Sequence, residues 1–447
     1  MRKILLALAL LLTAASVIPV QAAEQPLTVM SRNLYLGADV GVAMELIPDF
    51  SAAAQFMWSQ VSATDFSKRA PVLAQEVISQ NADVVGLQEA THWYCKKNLW
   101  SKKVIVFDFT TQFLEATRKL GHEYVLASKD GVDALNIGYS IPAIPYLTMV
   151  KDPETFQPLF GSDKAACGFE IGDALVVKKE LASSILRVGN SEYETSYSII
   201  PKLMTIYRGY TWADIDFKGR KVRIVTTHLE SLWDSNKVPN AALQAKQLIQ
   251  DLSSTKMPTI IIGDFNSDPR DPRQNSESNP GGQPEASKVC RAQVEKPSLK
   301  SAIDTCNAYW VMRNAGFTDA GPDALDAKNF TWGMNALLTG PDKKRFKAAQ
   351  LMGNNYGFTD RLDYIFLKNG AEVVSSKIIG NIPPKSGLWP SDHASVVARV
   401  VLPAYAEVSA PLNPHKPFPI SFWNWIGIVL FFALGSLITW RRRRNHG

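Results

Sequence analysis

The run Thr259–Asp264, "TIIIGD", constrains the fold more than any other stretch of the chain. Three consecutive isoleucines leave no polar alternation, so the segment reads as a strand covered on both faces. It stops abruptly at Gly263-Asp264-Phe265-Asn266, and a Ser-Asp-Pro turn follows. Such a strand delivers an aspartate and an asparagine, two residues apart, just as it leaves the core.

The rest of the body alternates strand-like and helix-like segments. "PLTVMSRN" and "ADVVGLQE" read as strands, and "DFSKRAPVLAQEVISQ" between them sets Phe66, Ala70, Leu73 and Val77 at helical spacing. "GDALVVKK", "TWADIDF" and "KVRIVTTH" follow as strands, with Lys218-Gly219 turning between the last two. "AALQAKQLIQDL" places Ala245, Leu248, Ile249 and Leu252 on one helix face. A helix near 302–315 and the strands "LDYIFL" and "SVVARVVL" complete the pattern. Alternation of this kind predicts an α/β class. Two segments, roughly 90–170 and 269–360, exceed ordinary loop lengths and are where substrate choice or disorder is expected.

Polar residues recur at the strand ends: Asn33, Glu89, His228, Asp264 with Asn266, and Asp363, with Ser391-Asp392-His393 just before the last strand. Each alone has an ordinary reading as a turn former, a cap or a core histidine. Together they describe carboxylates, carboxamides and imidazoles gathered at one sheet edge, where α/β proteins bind ligands. The oxygen-rich set suits Mg²⁺ or Mn²⁺ and argues against zinc. His92, His122, His415 and His446 match no catalytic spacing.

The two ends read as targeting segments. Residues 1–23 have basic Arg2 and Lys3, an apolar run and small residues, the pattern of a secretory signal peptide. Residues 406–419 form a Pro-rich linker, and Ile420–Trp440 carries no charge, long enough to cross a bilayer at about 1.5 Å per residue. The four arginines of the 441–447 tail place that tail in the cytoplasm and the 24–405 domain outside, anchored to the cell membrane. The six terminal cations, Arg2, Lys3 and Arg441 to Arg444, account for the whole net charge of +6. Region 24–440 is therefore formally neutral, and the basic balance gives no support for nucleic-acid binding. Export permits disulfides. Three pairings of the four cysteines are open; Cys95–Cys167 with Cys290–Cys306 is preferred, because each closes a separate long segment.

Taken in order, "SRNLY", "VVGLQEA", "VTTHLES", "IIIGDFNSDP", "DRLDYIF" and "PSDHASV" resemble the endonuclease/exonuclease/phosphatase superfamily, the deoxyribonuclease I-like phosphoesterases, over about residues 26–403. The resemblance implies a four-layer α/β sandwich, two mixed sheets face to face with helices outside. It also implies hydrolysis of a phosphate ester with a divalent cation. On this resemblance Glu89 is the principal metal ligand, with Asn33 beside it and Asp392 in support. Asp264 orients or deprotonates water, and Asn266 holds it or a phosphate oxygen. His393, oriented by Asp363, contacts the phosphate, and His228 stabilises charge or assists the leaving group. Tyr35 departs from the family pattern, which has a small or acidic residue there. Asp39 is a candidate substitute, though a helix cap is the reading its position favours.

The expected activity is thus a metal-dependent phosphodiesterase. Nucleic acid and a phospholipid headgroup, as in the sphingomyelinase-like branch, are the substrate classes considered, with a phosphomonoester or an inactive binding protein as alternatives. The apolar run 136–150 reads as a buried strand and its loop, or as a membrane contact. No feature calls for a protein partner.

Overall fold

In the computed structural model, the described residues are 25–412 apart from 48, 98–99, 149–163, 201–203, 233–236, 272–305, 334–342 and 405–409. The first sheet contains β1 (Leu27–Asn33), β2 (Val84–Lys96), β3 (Val104–Asp108), β4 (Tyr124–Leu126), β5 (Leu135–Thr148) and β6 (Lys164–Lys178). The late strands β13 (Glu372–Ile379) and β14 (Ser395–Val401) join it, in the order β13-β14-β1-β2-β6-β4, with β3 on β2 and β5 on β6. The second sheet runs β11-β12-β10-β9-β8-β7, from β7 (Ile185–Glu192), β8 (Gly209–Phe217), β9 (Arg220–His228), β10 (Thr259–Asp264), β11 (Thr318–Asp319) and β12 (Asp363–Lys368).

Both sheets are mixed in the same way. β1 and β2 are parallel with β14 antiparallel beside them, and β9 and β10 are parallel with β12 antiparallel beside them. The C-terminal ends of the parallel strands and the N-terminal starts of β12 and β14 therefore share one edge.

The isoleucines of β10 explain themselves by burial. Ile260 and Ile262 join Val29, Val84, Leu175, Ile224, Ile365 and Val396 between the sheets. Ile261 faces the other way, onto α5 (Asn240–Asp251) and α6 (Ala308–Asn314) with Ala245, Leu248 and Val311. Each isoleucine so covered contributes about 2 kcal/mol of transfer free energy. On the far side of the first sheet, α2 (Phe50–Thr64), α3 (Phe66–Ser79) and α4 (Phe109–Lys119) pack Trp58, Val61, Phe66, Ala70, Leu73, Val77 and Phe113 onto Val85 and Leu87. The order is helix, sheet, sheet, helix, and it agrees with the expected α/β class and paired mixed sheets.

Several elements outrun their sequence reading. "ADVVGLQE" is only the lower part of β2, which continues to Lys96 through a bulge: Leu87 pairs with Ala174 and Ala90 with Gly172, leaving two residues opposite one. The helices at 40–64 and strand β13 were not anticipated, and the 90–170 segment is largely strand and helix rather than loop. Asp39 is the N-cap of α1 (Val40–Glu45), accepting from Val42 N, as its position favoured. A disulfide joins Cys95 and Cys167. Cys306 is also disulfide-bonded, while Cys290 lies outside the described residues.

The expected localisation, extracytoplasmic and anchored by a C-terminal membrane helix, is corrected. Among the described residues no helix is long and apolar enough to cross a membrane. The segments behind that expectation, 1–23, 420–440 and 441–447, lie outside the described residues, as does most of the 406–419 linker. The side chains of 137–150 lie outside them too, so only the strand expected there is observed.

Candidate functional site

Strand register builds the first half of the site. His228 is paired with Asp264 across β9 and β10, and Asp264 with Asp363 across β10 and β12, so three polar residues stand in one row at the sheet edge. From the facing sheet come Asn33 at the end of β1 and Glu89 in the β2 bulge. Glu89 has φ +55°, Tyr35 +59° and Asn266 +45°. Left-handed backbone at non-glycine residues is costly, on the order of 1 kcal/mol or more each, and clusters where a side chain must be re-aimed.

The contacts close into a network. Asn33 Nδ2 donates to Asp264 Oδ2 at 3.1 Å and to Glu89 Oε1 at 3.3 Å, joining the two sheets. Glu89 Oε2 also accepts from the Leu36 amide. Asp264 Oδ1 accepts from Asn266 N at 2.9 Å. His393 Nδ1 lies 2.9 Å from Asp363 Oδ2, and its Nε2 is 3.6 Å from Asp264 Oδ2. His228 Nε2 approaches the same oxygen at 3.5 Å. Asp264, Asp363 and His393 have ligand atoms within 4.8 Å of one another. All eight residues singled out in the sequence lie at this edge.

Electrostatics separate the two imidazoles. Burial alone would pull His393 down, but Asp363, Asp264 and Asp392 outweigh it and push the ring up to about 10. His228 goes the other way: burial, the Arg208 guanidinium and His393 hold it well below its ordinary value. Arg208 Nη1 is 3.2 Å from His228 Nδ1. Both ring nitrogens thus face donors, the Arg208 guanidinium at Nδ1 and the Asn266 amide at Nε2, an arrangement that disfavours a charged ring. Asn266 Nδ2, 2.9 Å from Nε2, has its own acceptor in Leu229 O at 2.8 Å. Burial raises Asp264 to about 7, with His393 opposing the rise and Asp363 adding to it. Asp392 is raised to about 6 by burial, against the pull of His393, with Glu89 adding to the rise.

Four supporting residues escaped the sequence reading. Asp173 in β6 accepts from the His228 amide at 3.1 Å, and burial pushes it up to about 8. Arg208 reaches Glu230 at 3.3 Å. Arg32, fully buried, donates from Nη1 to His393 O at 2.5 Å. Arg69, also buried, donates to Leu34 O at 2.6 Å, Tyr35 O at 2.9 Å, Pro390 O at 2.8 Å and Thr64 O at 3.2 Å. A signal existed for two of them. Asp173 interrupts an apolar strand, and Arg69 sits on the apolar face of its helix, three residues after Phe66.

A sequence model of the Endonuclease/Exonuclease/phosphatase family matches residues 60–393, well over half of the chain. The chain belongs to this family, whose members are hydrolases of phosphoester bonds. No curated protein matches it. Among solved structures, a family protein from Leptotrichia buccalis is 15% identical, covering 84% of this chain and 99% of its own, with a TM-score of 0.43. D. rerio TDP2 complexed with single strand DNA product is 16% identical, over 84% and 98%, with a TM-score of 0.41. A mannosyl-6-phosphatase from Bacteroides thetaiotaomicron is 15% identical, over 84% and 100%, with a TM-score of 0.40. Likenesses at this level add nothing to the assignment, which rests on the family match.

Proposed function

We propose that the chain is a divalent-metal-dependent phosphodiesterase that hydrolyses its substrate by in-line attack of water. The observation that carries this reading is the convergence of Asn33, Glu89, His228, Asp264, Asn266, Asp363, Asp392 and His393 on one buried edge, inside a phosphoester-hydrolase family.

The donor set fits a hard cation. Asp392 Oδ1 is buried with no hydrogen-bond partner, the state of a carboxylate oxygen waiting for a positive charge. The Asp264–Asp363–His393 group already contains its own cation, the imidazolium between two carboxylates. Asn33, Glu89 and Asp392 would therefore hold Mg²⁺ or Mn²⁺, which when bound screens phosphate charge and polarises a phosphoryl oxygen.

The chain's own residues do the rest. Asp264, fixed by Asn33 and the Asn266 amide, orients water and takes its proton. Asp363 holds His393 charged, with Nε2–H directed to a phosphate oxygen. His228, neutral between the Arg208 guanidinium and Asn266, stabilises phosphate charge or assists the leaving group, while Asn266 steadies the water or the phosphate beside it.

Hydrolysis of bis(p-nitrophenyl) phosphate with Mg²⁺ or Mn²⁺, repeated with chelator and with Asp264→Ala and His393→Ala, tests the reading. Metal-dependent turnover lost in both folded variants is expected. Turnover that survives both substitutions, or that ignores chelator, would refute it. DNA, RNA, a phospholipid and a phosphomonoester run in parallel would assign the substrate class.

A further inference from the structure

Strand β2 does not end at the site. From Glu89 to Lys96 it continues for about 23 Å, at about 3.3 Å per residue, past the edge where the polar residues converge. There it meets β3, and Cys95 pairs with Val104. The outer end of this arm is stapled to β6 by the Cys95–Cys167 disulfide and by Lys103 Nζ on Glu170 at 2.6 Å.

At the tip of this rigid arm the surface chemistry changes. Trp100 is 95% exposed, and Val104 and Ile105 are 38% and 44% exposed. The run 96–105, "KKNLWSKKVI", contains four lysines and no acid; since region 24–440 sums to zero, the rest of that region carries a formal charge of −4. Lys97 and Lys102 are exposed beside the tryptophan. A tryptophan and β-branched aliphatics ringed by lysines combine two affinities, one for an apolar interior and one for an anionic surface.

We propose that this tip is a peripheral docking element for anionic lipid surfaces: Trp100 and Ile105 enter the headgroup boundary while Lys97 and Lys102 pair with lipid phosphates. Lysines and an aromatic ring would also suit a single-stranded nucleic acid, where the ring stacks on a base. Exposed Val104 and Ile105 favour lipid, because aliphatic side chains find partners among acyl chains and none on a phosphate backbone. The tip lies on the continuation of β2 beyond Glu89, past the edge at which the site sits. The inference is independent of the phosphoesterase reading, since binding is measured without turnover.

The test uses the full chain and vesicles of phosphatidylcholine with or without phosphatidylglycerol, some carrying brominated acyl chains that quench indole fluorescence on contact. Wild type is compared with Trp100→Phe, so the difference isolates Trp100 from the other tryptophans and from binding through any other segment. Expected is bromolipid quenching of the Trp100 contribution on anionic vesicles, abolished in high salt. Lys97→Gln/Lys102→Gln should weaken it about 25-fold, roughly fivefold for each lysine. Both positions lie outside the site, so hydrolysis of a small soluble ester should be unchanged. Equal quenching in wild type and Trp100→Phe would overturn the proposal. So would tip-dependent binding of single-stranded DNA with no response to anionic vesicles.

Discussion

Replacing Arg69 with methionine should destabilise the protein by about 3–5 kcal/mol, and the magnitude follows from what the guanidinium touches. Its four acceptors are all main-chain carbonyls, of Leu34, Tyr35, Thr64 and Pro390. Methionine keeps most of the apolar volume between Phe66, Tyr35 and Phe109, whose ring centroids lie 4.9, 5.4 and 5.6 Å from the guanidinium carbon. Removing the charge relieves desolvation. Burial pulls Arg69 from its ordinary value down to about 10, equivalent to about 3 kcal/mol. Against that, four buried carbonyls lose their donor at about 1–3 kcal/mol each, and the loss wins. A buried ion pair can often be replaced by apolar residues with little penalty, but carbonyls cannot leave with their partner. Arg69→Lys keeps the charge yet has three donors and no planar fork, so about 1–3 kcal/mol is expected. Because Leu34, Tyr35 and Pro390 flank Asn33 and His393, phosphodiester turnover should fall in the folded fraction of both variants. Urea unfolding followed by circular dichroism gives the stability and a chromogenic diester gives the rate. An Arg69→Met protein within about 1 kcal/mol of wild type would refute the reasoning, since it would mean these carbonyls find other donors.

Three further outcomes are expected. A Cβ on Gly86 would lie 2.6 Å from Thr226 Oγ1 and 2.9 Å from Ile262 Cγ2, so Gly86→Ala should wedge the sheets apart just below the site. Denaturant titration should show about 1–3 kcal/mol of lost stability, together with reduced turnover. Removing both Cys95 and Cys167 frees a cross-link spanning a sequence separation of 72, worth about 4 kcal/mol in the chain-entropy model, and unfolding with and without reductant checks it. His92 lies between Asp108 at 3.3 Å and Glu170 at 3.8 Å, which raise it to about 9 against burial. A raised histidine stabilises fully below its ordinary value of 6.5 and loses that contribution as pH climbs through about 9. After discounting for partial exposure, stability should fall by about 1–2 kcal/mol over that window, and His92→Gln should remove the fall.

The parts legible in the sequence were those in which one local rule decides. Ile260 to Ile262 could only be a covered strand, and Phe66, Ala70, Leu73 and Val77 could only be one helix face. Strand ends could be read because side-chain type changes there abruptly, so Asn33, Glu89, His228, Asp264 and Asp363 stood out. Long-range partners were opaque. Asp173 meets the His228 amide only because β6 packs behind β9, and Arg208 meets the His228 ring only because β8, which it precedes, pairs with β9. The bulge at Glu89 was also hidden, since an extra residue in a strand leaves no mark on composition. Composition alone therefore ends β2 at Glu89, where the strand only bends its pairing.

That bulge divides β2 into a floor and a rim. Below Glu89 the strand is fixed by the packed sheets, and little can change without disturbing the site. Above it the strand is held within its own sheet, paired with β3 and β6 and with Trp93 and Cys95 buried against the helices. Residues added or removed there in pairs would keep every remaining side chain on its own face. Each pair would raise or lower the rim by about 6.6 Å. On the proposed function, the depth at which a phosphate must be presented, and so the bulk of the group able to carry it there, would be set by a stretch of chain outside the chemistry.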